Sequence, residues 1–121
     1  MGWATPPPAL VARFARLLPA DPRVERRQMF GCPCAFADGR MFAGLFRDRL
    51  FVRLPEAMRG KLMALAGAGP FEPRPGQVMR EYVCVPAAHR RVREWLAASA
   101  EYTAGLPARP ARRRRRTRRR R

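Results

Sequence analysis

Residues 34–54 read CAFADGRMFAGLFRDRLFVRL, and this stretch decides the fold. Asp38 and Gly39 lie between two apolar runs. An Asp-Gly pair in that setting favours a type I′ hairpin turn, because both central residues must adopt a positive φ. A second turn is predicted at Arg47 and Asp48, after which apolar residues alternate with arginines. The stretch therefore predicts an antiparallel meander of three or four strands with one face covered.

The flanking sequence supplies helices and two further strands. Apolar residues recur at helical spacing around 10–18, from Pro55 until Gly67, and from 92 to 102, so these segments predict three helices. Strands are predicted over 24–30 and 78–85, and the Gly- and Pro-rich residues 67–77 predict an irregular connection around Phe71. The fold class is therefore α+β, with an antiparallel sheet of about five strands and three helices packed on one face.

Charge divides the chain into a body and a tail. The 121 residues fit one domain, and ten of the 26 basic residues fall within 109–121. The first 108 residues carry 16 basic and nine acidic residues, a net charge of +7. We expect an N-terminal extension over 1–8, a folded domain over 9–105 and a disordered tail over 106–121, because like charges repel and nothing in the tail can form a core.

The tail predicts attraction to polyanions. A run of positive charge binds the phosphate backbone of DNA or RNA without reading bases. The predicted nucleic-acid-binding residues are Arg109, Arg112, Arg113, Arg114, Arg115, Arg116, Arg118, Arg119, Arg120 and Arg121. The body is then the part that would contact a protein partner, whose identity the sequence leaves open.

Cysteine count and hydropathy bear on the compartment. Three cysteines cannot all pair within one chain, which favours a reducing environment. No segment approaches the ~20 apolar residues of a membrane helix, and no secretory signal is evident. We therefore expect a soluble, cytoplasmic protein without a membrane partner.

Motifs for catalysis or for a cofactor are absent from the sequence, so we expect neither an enzyme nor a bound cofactor. The alternative is a small metal- or thiol-binding protein that uses Cys32, Cys34 and Cys84, with His89 completing a Cys₃His zinc set. Only one residue separates Cys32 from Cys34, whereas paired zinc ligands are usually two to four residues apart. Packing as small apolar residues is the competing explanation for the cysteines, and a capping or solvated role is the one for His89.

Aromatic and methionine residues in the body allow two interpretations. Five phenylalanines alternate with arginines in the meander: Phe30, Phe36, Phe42, Phe46 and Phe51. They could stack on single-stranded bases, or they could divide between a core and a solvated face. The methionines indicate core filling. Those considered are Met29, Met41, Met58, Met63 and Met79.

An ordered set of short motifs resembles one known family. The set comprises Arg27-x-Met29-Phe30-Gly31, Asp38-Gly39-x-Met41-Phe42, Leu50-Phe51-Val52, Pro70-Phe71 and Met79-x-x-Tyr82-x-x-x-Pro86. It resembles the TfoX/Sxy N-terminal domain over about residues 10–104. The resemblance implies an α+β fold of the secretion-chaperone-like group and a role as a regulator, since two-domain members regulate natural competence. It implies no catalytic residues. Those members carry a further C-terminal domain, in place of which we expect an arginine tail here.

Overall fold

The computed structural model describes residues 5–29 and 31–107. Its elements follow in chain order as α1 (Pro8–Leu17), β1 (Val24–Met29), β2 (Cys32–Ala37), β3 (Arg40–Phe46), β4 (Arg49–Arg53), α2 (Glu56–Met63), β5 (Gly69–Pro70), β6 (Tyr82–Pro86) and α3 (Val92–Ala104). The predicted α+β class and its three helices are confirmed.

One antiparallel sheet contains all six strands, in the order β1-β2-β3-β4-β6-β5. The hairpin between β2 and β3 turns at Asp38 and Gly39, whose φ values are 50° and 81°. Both residues therefore adopt the positive φ that the type I′ prediction requires. The next turn places Arg47 at φ 61°, which confirms the second predicted turn.

The strands differ from the prediction near the sheet edge that β5 forms. The sheet has six strands rather than about five, because Gly69 and Pro70, within the predicted irregular connection, pair with Cys84 and Val83. The last strand begins at Tyr82 rather than at residue 78. The backbone turns before it: the N–H of Met79 bonds to the Phe71 carbonyl (2.9 Å), and the N–H of Tyr82 bonds to the Met79 carbonyl (3.1 Å).

The main core lies between the helices and one face of the sheet. Its largest fully buried side chains are Phe42, Leu45, Leu50, Leu54, Trp95 and Leu96. Ser99 links α3 to the sheet, since its Oγ lies 2.9 Å from the Phe42 carbonyl oxygen and 2.6 Å from the Arg53 carbonyl oxygen. One hydroxyl hydrogen serves two acceptors there, so α3 is held to β3 and to the end of β4 at a single point.

Within the described ranges, no helix has the length and apolar character needed to cross a membrane.

Candidate functional site

The sheet face opposite the helices carries a second buried cluster, here called the aromatic face. Alternation along the strands sends every second side chain to this side. Its buried members are Cys34, Phe36, Phe51, Phe71, Tyr82 and Cys84, surrounded by partly buried Met29, Met41, Phe46 and Met79. The face is thus a small core rather than a solvated surface.

Phe71 closes the aromatic face. It arrives from the connection after β5 and stacks on Phe51, with ring centroids 4.1 Å apart and an interplanar angle of 6°. Gly44 makes room for Phe51, because a Cβ at that position would overlap Cζ of the ring and would lie 2.9 Å from Sγ of Cys34. Tyr82 meets both rings edge-on and donates its hydroxyl hydrogen to the Met41 carbonyl at 2.8 Å.

Arginines lie over the remaining rings. The Arg27 guanidinium lies 4.5 Å from the Phe36 centroid, and that of Arg47 lies 5.2 Å from the Phe46 centroid. Such cation–π contacts favour flat packing of the guanidinium on the ring. On the same face, Arg53 forms an ion pair with Glu81.

The four described phenylalanines of the predicted stacking platform divide between two cores. Phe42 and Phe51 are fully buried, on the helix side and on the aromatic face respectively, and Phe36 is 8 % exposed. Only Phe46 among these four is partly accessible, and Phe30 lies outside the described residues. These four rings therefore do not form an open surface for base stacking.

The cysteines do not converge as a zinc set. Cys32 and Cys34 lie on β2 and Cys84 lies on β6, with β3 and β4 between them. In residues 5–29 and 31–107, no three His, Cys, Asp or Glu side chains form a group that could hold a metal. The Cys₃His alternative finds no support in these ranges, because β3 and β4 separate the two cysteines of β2 from Cys84.

Burial also suppresses the reactivity of the thiols. It raises the pKa of Cys34 to about 12, with a smaller contribution from Cys32. It raises the pKa of Cys84 to about 11, against the opposing charge of Arg49, and it raises that of Cys32 as well. Because the thiolate is the nucleophile and the metal ligand, these thiols stay protonated and unreactive near neutral pH.

His89 has a local structural role. Its Nδ1 accepts a hydrogen bond from the Arg91 N–H (3.0 Å), and its ring lies 4.6 Å from that of Trp95. This bond lies in the turn before α3, whose N-cap Arg91 has no side-chain cap, so His89 orders that turn and does not cap the helix. Arg13 of α1 donates to the carbonyls of Ala87 (3.2 Å) and His89 (2.8 Å), so it joins α1 to the segment before α3.

Further arginines flank this joint along the sequence: Arg16 follows Arg13 on α1, and Arg90, Arg91 and Arg93 lie around the start of α3. Arg91 forms an exposed ion pair with Glu94 at 2.7 Å, and its neighbour Arg90 is exposed. No local pattern predicts the hydrogen bonds of Arg13, because the residues they join are more than 70 apart along the chain.

A cleft lies between α2 and the segment before β6, and sequence reasoning missed it. Met63, which the sequence predicted to fill the core, is 44 % exposed there, and Val78, predicted to lie in a strand, is 45 % exposed. The other four methionines considered for core filling are partly buried. The one sequence signal for this site is Gly60, an unfavourable residue in the middle of a predicted helix.

The ten arginines predicted to bind nucleic acid, Arg109 to Arg121, lie outside the described residues. The structure does describe how α3 ends before them: Arg40 Nη1 donates to the carbonyls of Thr103 (3.1 Å) and Leu106 (3.0 Å).

Comparison with known proteins agrees with the architecture. The family model of the TfoX N-terminal domain matches residues 14–105, about three quarters of the chain. No significant match to a curated protein or to a solved structure was found. The matched range spans the sheet, α2, α3 and the end of α1, and it contains all of the motifs that suggest the family. The chain belongs to the TfoX N-terminal domain family.

Proposed function

We propose that this chain is a non-enzymatic, regulatory interaction domain of the TfoX type whose arginine-rich C-terminal segment binds DNA or RNA without sequence preference. The observation that carries the proposal is the concentration of ten arginines within residues 109–121, a segment without any acidic residue. Such a segment displaces condensed counterions from a nucleic acid and gains affinity from their release.

The net charge of the body also favours binding of a nucleic acid. Residues 1–108 carry a net charge of +7, so the body adds to the attraction instead of opposing it. An uninterrupted run of arginines contacts phosphates and does not read base edges, so we expect similar affinities for duplexes of unrelated sequence.

Family membership and the protonated thiols support the non-enzymatic part of the proposal. The three cysteines are the strongest potential nucleophiles in the body, and burial raises the pKa of each. The expected role is to hold a protein partner close to nucleic acid, as a regulatory domain would.

Equilibrium binding of a labelled DNA duplex and of a labelled RNA strand over a range of salt concentrations tests the proposal. We expect affinity to fall by about 0.9 log units per log unit of salt for each duplex phosphate contacted. Deletion of residues 109–121 should remove most of the binding and flatten the salt dependence.

A matched control separates charge from chain length. Replacement of the ten tail arginines by lysine should keep the salt dependence, and replacement by serine should abolish it. Equal affinity of the full chain and of the serine variant would show that the tail does not bind nucleic acid.

A further inference from the structure

The cleft beside α2 contains the exposed large apolar side chains of the described part of the molecule. Its volume is about 440 Å³, and its lining is Glu56, Arg59, Gly60, Met63, Pro70, Val78, Arg80, Tyr82 and Val83. Met63 and Val78 are the two large hydrophobic side chains that are exposed among the described residues, and both line this cleft. Apolar surface that is concentrated in one concave place is typical of an interaction site.

Gly60 forms part of the cleft wall at a cost to the helix. Glycine in a helix interior is about 0.5–1 kcal/mol less favourable than alanine. Nothing lies within 4 Å of the position that a Cβ would occupy at Gly60, so packing inside this chain does not require glycine there. The open space instead allows another backbone to approach α2 closely.

The charged rim of the cleft is biased towards positive charge. Arg59 is held in place by donating from Nη1 to the Leu54 carbonyl at 3.1 Å. Arg80 is exposed and has no hydrogen bond or ion pair within the described ranges. With Glu56 as the single acid of the lining, the cleft presents two cations and one anion around an apolar centre.

We infer that the cleft binds a protein segment that inserts apolar side chains between Met63 and Val78 and places carboxylates against Arg59 and Arg80. This inference rests on the proposed role as an interaction domain, whose binding surface it names. A second copy of the chain is disfavoured, because two bodies of +7 repel each other. A nucleic acid is disfavoured, because its phosphates would meet an apolar floor with two arginines.

The test uses the full-length protein and two short labelled peptides. One alternates pairs of leucine and glutamate, and the other has serine in place of leucine and thus the same charge. The arginine tail attracts both peptides equally, so the difference between them isolates the cleft. We expect the leucine peptide to bind at least about tenfold more tightly at physiological ionic strength, as one or two buried apolar anchors would give.

Two variants localise that difference. Met63→Glu and Val78→Glu should each remove most of the leucine preference, whereas Ala97→Glu, which adds the same charge at an exposed position on α3, should leave it unchanged. Both target side chains are exposed, so the fold should persist. All three variants should keep the salt-dependent nucleic-acid binding, so failure of the cleft and failure of the tail are distinguishable.

Gly60→Ala distinguishes a binding role of Gly60 from a structural one, because it should change stability and peptide affinity in opposite directions. It should raise the thermal midpoint because alanine favours the helix, yet weaken the leucine peptide several-fold because its methyl group fills the space for the partner. Equal binding of the two peptides, or a leucine preference that persists in Met63→Glu, would overturn the inference. Two other results would also overturn the inference. One is a dimer, detected by sedimentation, that Met63→Glu dissociates. The other is displacement of the leucine peptide from the cleft by a single-stranded oligonucleotide.

Discussion

Along β2, β3, β4 and β6 both faces of the sheet are buried, but by different means. On one face, three helices cover the strands, and Trp95 and Leu96 of α3 are fully buried against them. On the aromatic face, one ring from a connecting segment, Phe71, covers Phe51, and arginine side chains lie over the outer rings.

This contrast shows how a domain of this size can use both sides of a meander. The helix side buries a large continuous cluster, which is the usual source of stability in a small domain. The aromatic face gains its burial from stacking and from cation–π contacts around a few rings. We expect the loss in the free energy of unfolding to differ between the two faces when a covering side chain is removed.

The largest effect should come from Trp95→Ala on the helix side. Trp95 is fully buried, so the substitution removes its transfer free energy and leaves a cavity. We expect a loss of about 3–5 kcal/mol in the free energy of unfolding, measured by chemical denaturation. The exposed neighbour Ala97 offers a control, since Ala97→Ser should change stability by less than about 0.5 kcal/mol. A loss below 1 kcal/mol for Trp95→Ala would contradict the assignment of the main core.

Phe71→Ala tests whether the aromatic face is a second core. Phe71 is also fully buried, but it sits on a connection that can relax into the space left behind. We expect a loss of about 3 kcal/mol, at the low end of the range for Phe→Ala. Phe71→Leu should recover part of it, because an apolar side chain still covers Phe51. If Phe71→Ala cost no more than an exposed substitution, the aromatic face would be a surface and the comparison of two cores would fail.

The sequence predicted the meander better than it predicted the aromatic face. Asp38-Gly39 fixes a hairpin through local backbone preference, so its position follows from a few adjacent residues. Alternation in β4 shows that two faces exist, but not what covers each of them. The stack of Phe71 on Phe51 joins residues 20 apart through an irregular connection, and no local pattern encodes that contact.

The same distinction explains the candidate sites. Ten clustered arginines predict a polyanion-binding segment from composition alone. The cleft depends on where α2 lies relative to the turn before β6, so Met63 was indistinguishable from a core methionine. The cysteine alternative depends on strand order in the same way, because β3 and β4 separate Cys84 from Cys32 and Cys34, and no spacing along the chain shows that separation.

Gly44→Ala should have an intermediate effect, confined to the aromatic face. The added methyl group would overlap the Phe51 ring and press on Sγ of Cys34, both of which are buried. Overpacking of this kind costs about 1–3 kcal/mol in the free energy of unfolding. Phe51→Leu should relieve the overlap, so the double variant should lose less than the sum of the two single losses. Strictly additive losses would show that Gly44 does not make room for the ring.

The smallest effect should be an alkaline loss of stability that comes from the aromatic face, where Cys34 and Cys84 are buried. Their folded pKa values, about 12 and about 11, lie above the ordinary thiol value of 9.0. Between those values the unfolded chain releases protons that the folded chain retains, so stability is full below about pH 8 and falls as pH rises towards 11. We expect the free energy of unfolding, measured by denaturant titration, to decrease over that interval.

Cys34→Ala sharpens this last test, because alanine removes one raised pKa and leaves the other titrating groups in place. The variant should lose less stability than the parent chain between neutral and alkaline pH, whatever its stability at neutral pH. Since all three thiols are buried, slow alkylation of the native protein at neutral pH should accompany this result, and denaturant should accelerate it. An identical alkaline loss in both proteins would show that the Cys34 thiol does not titrate differently in the two states. The aromatic face would then be more hydrated than its burial indicates, and its contrast with the helix side would be one of water content as well as of packing.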